Sequence, residues 1–267
     1  MNKLTFLLLF FGLIGCKQNS KPAKIKEPVQ QEISENKAVY PDALMKVFDA
    51  HGGIKQWKKQ RTLSFVLPKP KLAETHTIEL WSRMDKIETE QFTMGFDGNE
   101  TWLLDTDETY KGDVRFYHNL MFYFYAMPFV FADDGIMYSE ADDLEYEGKN
   151  YPGIKVAFES GVGASSKDEY YIHFDPESHK MAWLGYTVTY RSGETSDNVR
   201  WINYKDWQEV NGLLLPKSIT WHNYEGRKIL EPASTMTFED VIISENPQPE
   251  EFYAKPENGE YVAIKTN

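Results

Sequence analysis

One cysteine, Cys16, stands among the 267 residues. That single thiol excludes a disulfide framework within the chain and any metal site built from several thiolates. Cations are also scarce: 29 Lys and Arg face 41 Asp and Glu, for a formal net charge of −12. Nucleic-acid binding depends on clustered Lys and Arg that neutralise phosphates, so no nucleic-acid partner is expected. Adsorption on anionic lipid by charge alone is excluded on the same ground. The apolar run Leu4–Ile14 is too short to span a bilayer. No G-x-S-x-G occurs, so a nucleophile elbow is absent. Gly161-Val162-Gly163-Ala164-Ser165-Ser166 lacks the third glycine of a dinucleotide loop and reads as a hairpin loop. Asp105, Asp107 and Glu108 start like a calcium loop, but Tyr110 stands where its glycine is needed and Phe116 where its last acid is. The six histidines are scattered, and the spacing of His173 and His179 is unlike common zinc pairs. The expectation is therefore no metal, no cofactor and no catalysis.

What is present begins at the N-terminus. Lys3, the apolar run and Leu13-Ile14-Gly15-Cys16 have the layout of a secretory signal. The last four residues resemble the lipobox of bacterial lipoproteins. That resemblance implies cleavage after residue 15, a diacylglycerol and palmitate-type anchor on Cys16, and membrane attachment through it. Two or more acyl chains give stable anchoring. Lys17 after the cysteine implies, by the usual sorting logic, an outer-membrane location, and the lack of an acidic run after Cys16 points to its periplasmic face. Residues 16–38 then contain Lys, Gln, Ser, Pro, Glu and Asn with little to bury, which predicts a disordered tether. Residues 39–267 are of a size for one domain.

Within that domain, Pro41 suits a helix start, Ala43, Leu44, Val47 and Phe48 share a helical face, and His51-Gly52-Gly53 supplies a stop. Beyond residue 62, strands are expected at Leu63–Leu67, Glu74–Ser82, Lys86–Phe92, Thr101–Leu104, Ile154–Phe158 and Tyr170–Phe174. Four more are expected at Ala182–Tyr190, Val199–Tyr204, Leu213–His222 and Thr235–Ser244. Asp97-Gly98, Asp175-Pro176 and Asn211-Gly212 supply turns, which predicts an antiparallel meander. Aromatics make up 15% of the chain and suit strands.

One segment departs from this texture. Residues 116–132 carry no charge and eight aromatic rings. As far as Met127 the segment reads as a helix, with Phe116, Leu120 and Phe124 on one face and Tyr117, Met121 and Tyr125 on the next. Pro128 stops or kinks it. A helix apolar all round is buried or lies against lipid.

Phe96-Asp97-Gly98-Asn99-Glu100-Thr101-Trp102, Tyr204 with Val210-Asn211-Gly212-Leu213-Leu214-Leu215-Pro216, and Val241-Ile242-Ile243 with Asn246-Pro247 and Glu251-Phe252 resemble the LolA/LolB-like, lipoprotein-sorting superfamily. His51-Gly52-Gly53 with Trp57, and Ala126-Met127-Pro128-Phe129 with Asp133-Asp134-Gly135, are similar to an uncharacterised lipoprotein family, over residues 40–262. The wider resemblance implies a β-rich α+β fold. It has a curved antiparallel half-barrel sheet, an N-terminal helix, and an apolar helical insertion covering the concave face. It also implies a hydrophobic cavity for a lipid, an acyl chain or a lipoprotein anchor. Phe116, Tyr117, Leu120, Met121, Phe124, Tyr125 and Phe129 are the expected lining, with Trp102 as a sheet-side contact. The competing expectation is a structural or protein-interaction module of the cell envelope, in which those rings are core.

Overall fold

A computed structural model describes residues 40–159, 167–189 and 197–263. All lie in one compact unit, Ala38–Asn267. Cys16, the signal segment, the tether and the glycine loop at 161–166 lie outside the described residues.

Two short helices come first, α1 (Asp42–Ala50) and α2 (Ile54–Lys59). Pro41 opens α1, whose buried face is Leu44, Val47 and Phe48. Gly53 N–H donates to Phe48 O at 2.8 Å to close its end. Then follow β1 (Thr62–Leu67), β2 (Glu74–Glu79), β3 (Asp85–Glu88), β4 (Thr93–Phe96) and β5 (Thr101–Leu104). The helical insertion is α3 (Val114–Tyr117), α4 (Leu120–Tyr125) and a 3-10 turn, Phe129–Ala132. The chain continues through β6 (Ile136–Tyr146), β7 (Lys149–Phe158), β8 (Glu169–Phe174), β9 (Met181–Tyr186), β10 (Arg200–Val210) and β11 (Leu213–Glu225). It ends in β12 (Lys228–Thr237), β13 (Glu239–Ser244) and β14 (Glu260–Tyr261).

The strands form two antiparallel sheets of seven, ordered β13-β1-β2-β3-β4-β5-β14 and β12-β11-β10-β9-β8-β7-β6. Neither closes on itself, so the β-rich α+β meander that the sequence predicts is built as two open sheets. One expected strand, Thr235–Ser244, divides at Phe238: its first part ends β12 in one sheet and its second is β13 in the other. Phe238 is buried between Phe65 and Tyr125, at ring separations of 5.4 and 4.4 Å, and its N–H donates to Lys217 O at 2.9 Å. The side chain is drawn inward where the chain changes sheets.

The insertion is also more broken than expected. His118 and Asn119 interrupt the helix, because the His118 imidazole is drawn to Asp85 on β3, Nδ1 to Oδ2 at 2.6 Å. The rings that follow pack between the two sheets. Tyr125 lies 4.7 Å from Phe65 of the first, and Phe124 lies 5.3 Å from Tyr186 and 5.7 Å from Trp221 of the second. Tyr204 and Tyr138 hydroxyls donate to Phe124 O and Phe131 O, at 2.7 and 2.5 Å, satisfying carbonyls that a broken helix leaves open.

Candidate functional site

A cleft of about 410 Å³ opens between α2, the β2–β3 turn and the 3-10 turn. Beneath it lies a buried aromatic stack, of which only the edge of Trp57 reaches the cleft. The Trp57 indole stacks on Phe129 at 4.8 Å and 7°, and Phe129 stacks in turn on Phe48 at 6.2 Å and 11°. Leu80 and Ala132 complete the apolar lining, while Lys58, Arg83, Asp133 and Asp134 stand around it. Arg83 Nη2 donates to both Asp133 carboxylate oxygens at 2.6 Å, and its guanidinium lies over the Phe122 ring at 5.0 Å. Burial pushes the Asp133 carboxyl above its ordinary value, with Arg83 pulling it back. The volume falls in the range of small-molecule sites, and its exposed lining is shared between charged and apolar side chains.

The β2–β3 turn is organised by Glu79, whose side chain is 2% exposed. One carboxylate oxygen accepts Arg61 Nε–H at 2.5 Å; the other accepts the N–H groups of Trp81 and Ser82, at 3.0 and 2.5 Å. Burial opposes ionisation of Glu79, but these donors outweigh it and hold its carboxyl below the usual range. On the opposite wall, the Tyr40 hydroxyl donates to Ala132 O at 3.1 Å. The described chain therefore begins beside the cleft.

The residues expected to line a cavity are distributed differently. Phe129 is buried in the core beneath the cleft, stacked under Trp57. Met121, Phe124 and Tyr125 are buried in the core, and Tyr117 and Leu120 are half-buried against it. Phe116 is half-buried at the end of α3. Trp102 is separate from all of them. The register pairs it with Gly95 and Tyr261, whereas its neighbour Leu103 faces the Met94 and Val114 cluster beneath α3. Trp102 thus lies on the outer face of the first sheet, where its indole N–H donates to Tyr253 O at 2.9 Å. There it lines a second cleft, of about 320 Å³, with Lys86, Phe252 and Lys255.

A polar cluster unforeseen from sequence sits on the inner face of the first sheet. Glu74 Oε1 accepts from Lys69 Nζ at 2.7 Å, and Oε2 accepts from the Tyr117 hydroxyl at 2.7 Å and lies 3.1 Å from His76 Nε2. Burial opposes ionisation of Glu74, yet His76, Lys69 and Tyr117 together lower it to about 2. Burial pushes Asp85 up, against the opposing pull of His118. The signal was present in the alternation of β2, which sends Glu74 and His76 inward beside Ile78. The cluster ties α3 and the following His118 to the sheet.

A family model described as "Family of unknown function (DUF6503)" matches residues 3–228. No curated protein matches the chain. Among solved structures, it is similar to a DUF1329 family protein from Desulfovibrio piger, with 8% identity, 80% of this chain and 98% of that one covered, and a TM-score of 0.48. It is also similar to a LolA superfamily protein from Nitrosomonas europaea, with 8% identity, 73% and 89% covered, and a TM-score of 0.45.

Proposed function

The chain belongs to the DUF6503 family of unknown function, and on that premise we propose that it is a lipid-anchored, non-catalytic binding protein of the bacterial cell envelope. Its ligand is an amphiphile, a lipid or the acylated end of a lipoprotein, whose apolar chain rests in the cleft against Trp57, Leu80, Trp81 and Ala132. The observation that carries this reading is a cleft with Trp57, Leu80, Trp81 and Ala132 within a ring of charged side chains, set on a buried stack of Trp57 and Phe129. Each methylene withdrawn from water contributes about 0.8 kcal/mol, so a seated segment of about six carbons gains about 5 kcal/mol before ordering costs. The chain leaves the described domain at Tyr40, which is bonded to the cleft wall. Anchoring through Cys16 would keep that opening within a tether's length of the membrane, at the periplasmic face of the outer membrane.

Binding is tested on a chain begun at residue 17, by calorimetry with octyl tetraethylene glycol ether below its micellar concentration. Saturable one-site binding is expected, and no heat of binding at all would overturn the reading. That second result would favour a structural or protein-interaction module, for which the burial of Met121, Phe124 and Tyr125 in the core is the specific support. The anchor is tested separately: Cys16→Ala should abolish acylation and leave an uncleaved precursor, and normal processing of that variant would contradict it.

A further inference from the structure

Trp81 is 62% exposed, yet it is not free to move. Its indole N–H donates to Lys58 O at 3.2 Å, and its backbone N–H donates to the buried Glu79 carboxylate at 3.0 Å. The Arg61 guanidinium lies over its ring at 4.1 Å and is itself fixed by Glu79 at 2.5 Å. Leaving an indole in water forfeits the gain of burying it, and fixing it there adds an entropic cost. A surface tryptophan with a packing role alone would lie down on its neighbours. This one is fixed by its contacts with Lys58 and Arg61 and left exposed where it lines the cleft. The ordering cost of a binding contact is met before any ligand arrives, which is the condition for strong stacking.

The surroundings narrow what can stack there. A cationic head group would meet the Arg61 charge through the ring, which opposes a cation–π contact on the other side. An anionic one would meet Asp133 and the exposed Asp134, with Arg83 already engaged by Asp133. A neutral ring with one face of C–H bonds and an edge of hydroxyls satisfies both limits. Its C–H face suits the indole face, and its hydroxyls suit Asp134 and Lys58 as acceptor and donor. We propose that Trp81 is a prebuilt stacking platform for a pyranose, so that the cleft takes an amphiphile with a sugar head group. This rests on the reading of the cleft as an amphiphile site.

The test compares three probes by calorimetry on the chain begun at residue 17. They are octyl β-glucoside, octyl tetraethylene glycol ether with the same alkyl chain and no sugar, and methyl β-glucoside with the sugar and no chain. All are used below any micellar concentration. The glucoside should bind about tenfold tighter than the ether, the size of one good aromatic contact. Trp81→Ala should bring that ratio to about one, and Trp81→Phe should keep part of it. Equal affinity of the two octyl probes for the unaltered chain, or a ratio unmoved by Trp81→Ala, would overturn the platform while leaving the cleft reading intact. If the ether fails to bind while both glucosides bind through Trp81, the apolar-chain reading falls and the platform stands. If no probe binds, both fall.

Discussion

Glu74 offers a quantitative test of how the helical insertion is held. Four side chains meet there: Lys69 and Tyr117 donate to its carboxylate, and His76 lies within hydrogen-bond distance. Against the cost of burial, they lower its pKa from 4.5 to about 2. At 1.36 kcal/mol per tenfold change in proton affinity, that difference is worth about 3 kcal/mol. The folded value is the depressed one. The contribution is therefore complete above pH 4.5 and is lost as pH falls through the folded value near 2. Glu74→Gln keeps the shape and removes the charge. Urea unfolding followed by circular dichroism should place this variant about 3 kcal/mol below the unaltered chain at neutral pH. The gap should narrow below pH 4.5 and nearly vanish at pH 2. A gap that stays constant with pH, or one within error of zero at neutral pH, would refute the assignment of an ionised Glu74 as the tie between α3 and the sheet.

Three further substitutions probe other parts of the fold. Gly52 has φ +100, and a Cβ there would sit 2.2 Å from Gly212 O, so Gly52→Ala should cost about 2 kcal/mol or more in the same unfolding assay. Gly148, with φ +75 and open space around it, isolates the backbone penalty, and Gly148→Ala should cost about 1 kcal/mol; equal losses at the two positions would deny the close approach of the α1–α2 corner to the β10–β11 hairpin. Met121→Asp places a charge among the buried rings and should cost several kcal/mol, read as loss of the cooperative thermal transition, whereas a folded variant would mean that this face is wetter than its burial implies.

Local chemistry carried much of the architecture into the sequence. His51-Gly52-Gly53 marked the end of α1, and Asn211-Gly212 marked a hairpin whose two residues have φ +51 and +76. In β2 the alternation of Thr75 and Thr77 against His76 and Ile78 is visible in the sequence and separates its two faces. Other elements were hidden for physical reasons. β6 carries acids along an exposed edge, and its apolar residues form no single stripe: Ile136 and Tyr138 pack on the main core, and Ala141, Leu144 and Tyr146 on a second cluster beyond a register shift. It turns at Glu147-Gly148, a less familiar hairpin pair, with φ +51 and +75. The passage from β12 to β13 is continuous in composition, and only the burial of Phe238 divides it. The aromatic run was legible as something buried, but a run of rings looks the same whether it lines a cavity or fills a core. The cleft was not legible at all, because Trp57, Leu80, Phe129 and Asp133 meet only through the fold.

The most direct measurement is photolabelling of the chain begun at residue 17 with an octyl probe carrying a diazirine on its alkyl chain, followed by peptide mapping. Label is expected on the segments around Trp57–Gln60, Leu80–Arg83 and Phe129–Asp134, displaced by excess unlabelled octyl ether. Label spread evenly over the surface, or gathered instead on the outer face beside Trp102 and Phe252, would contradict the cleft reading.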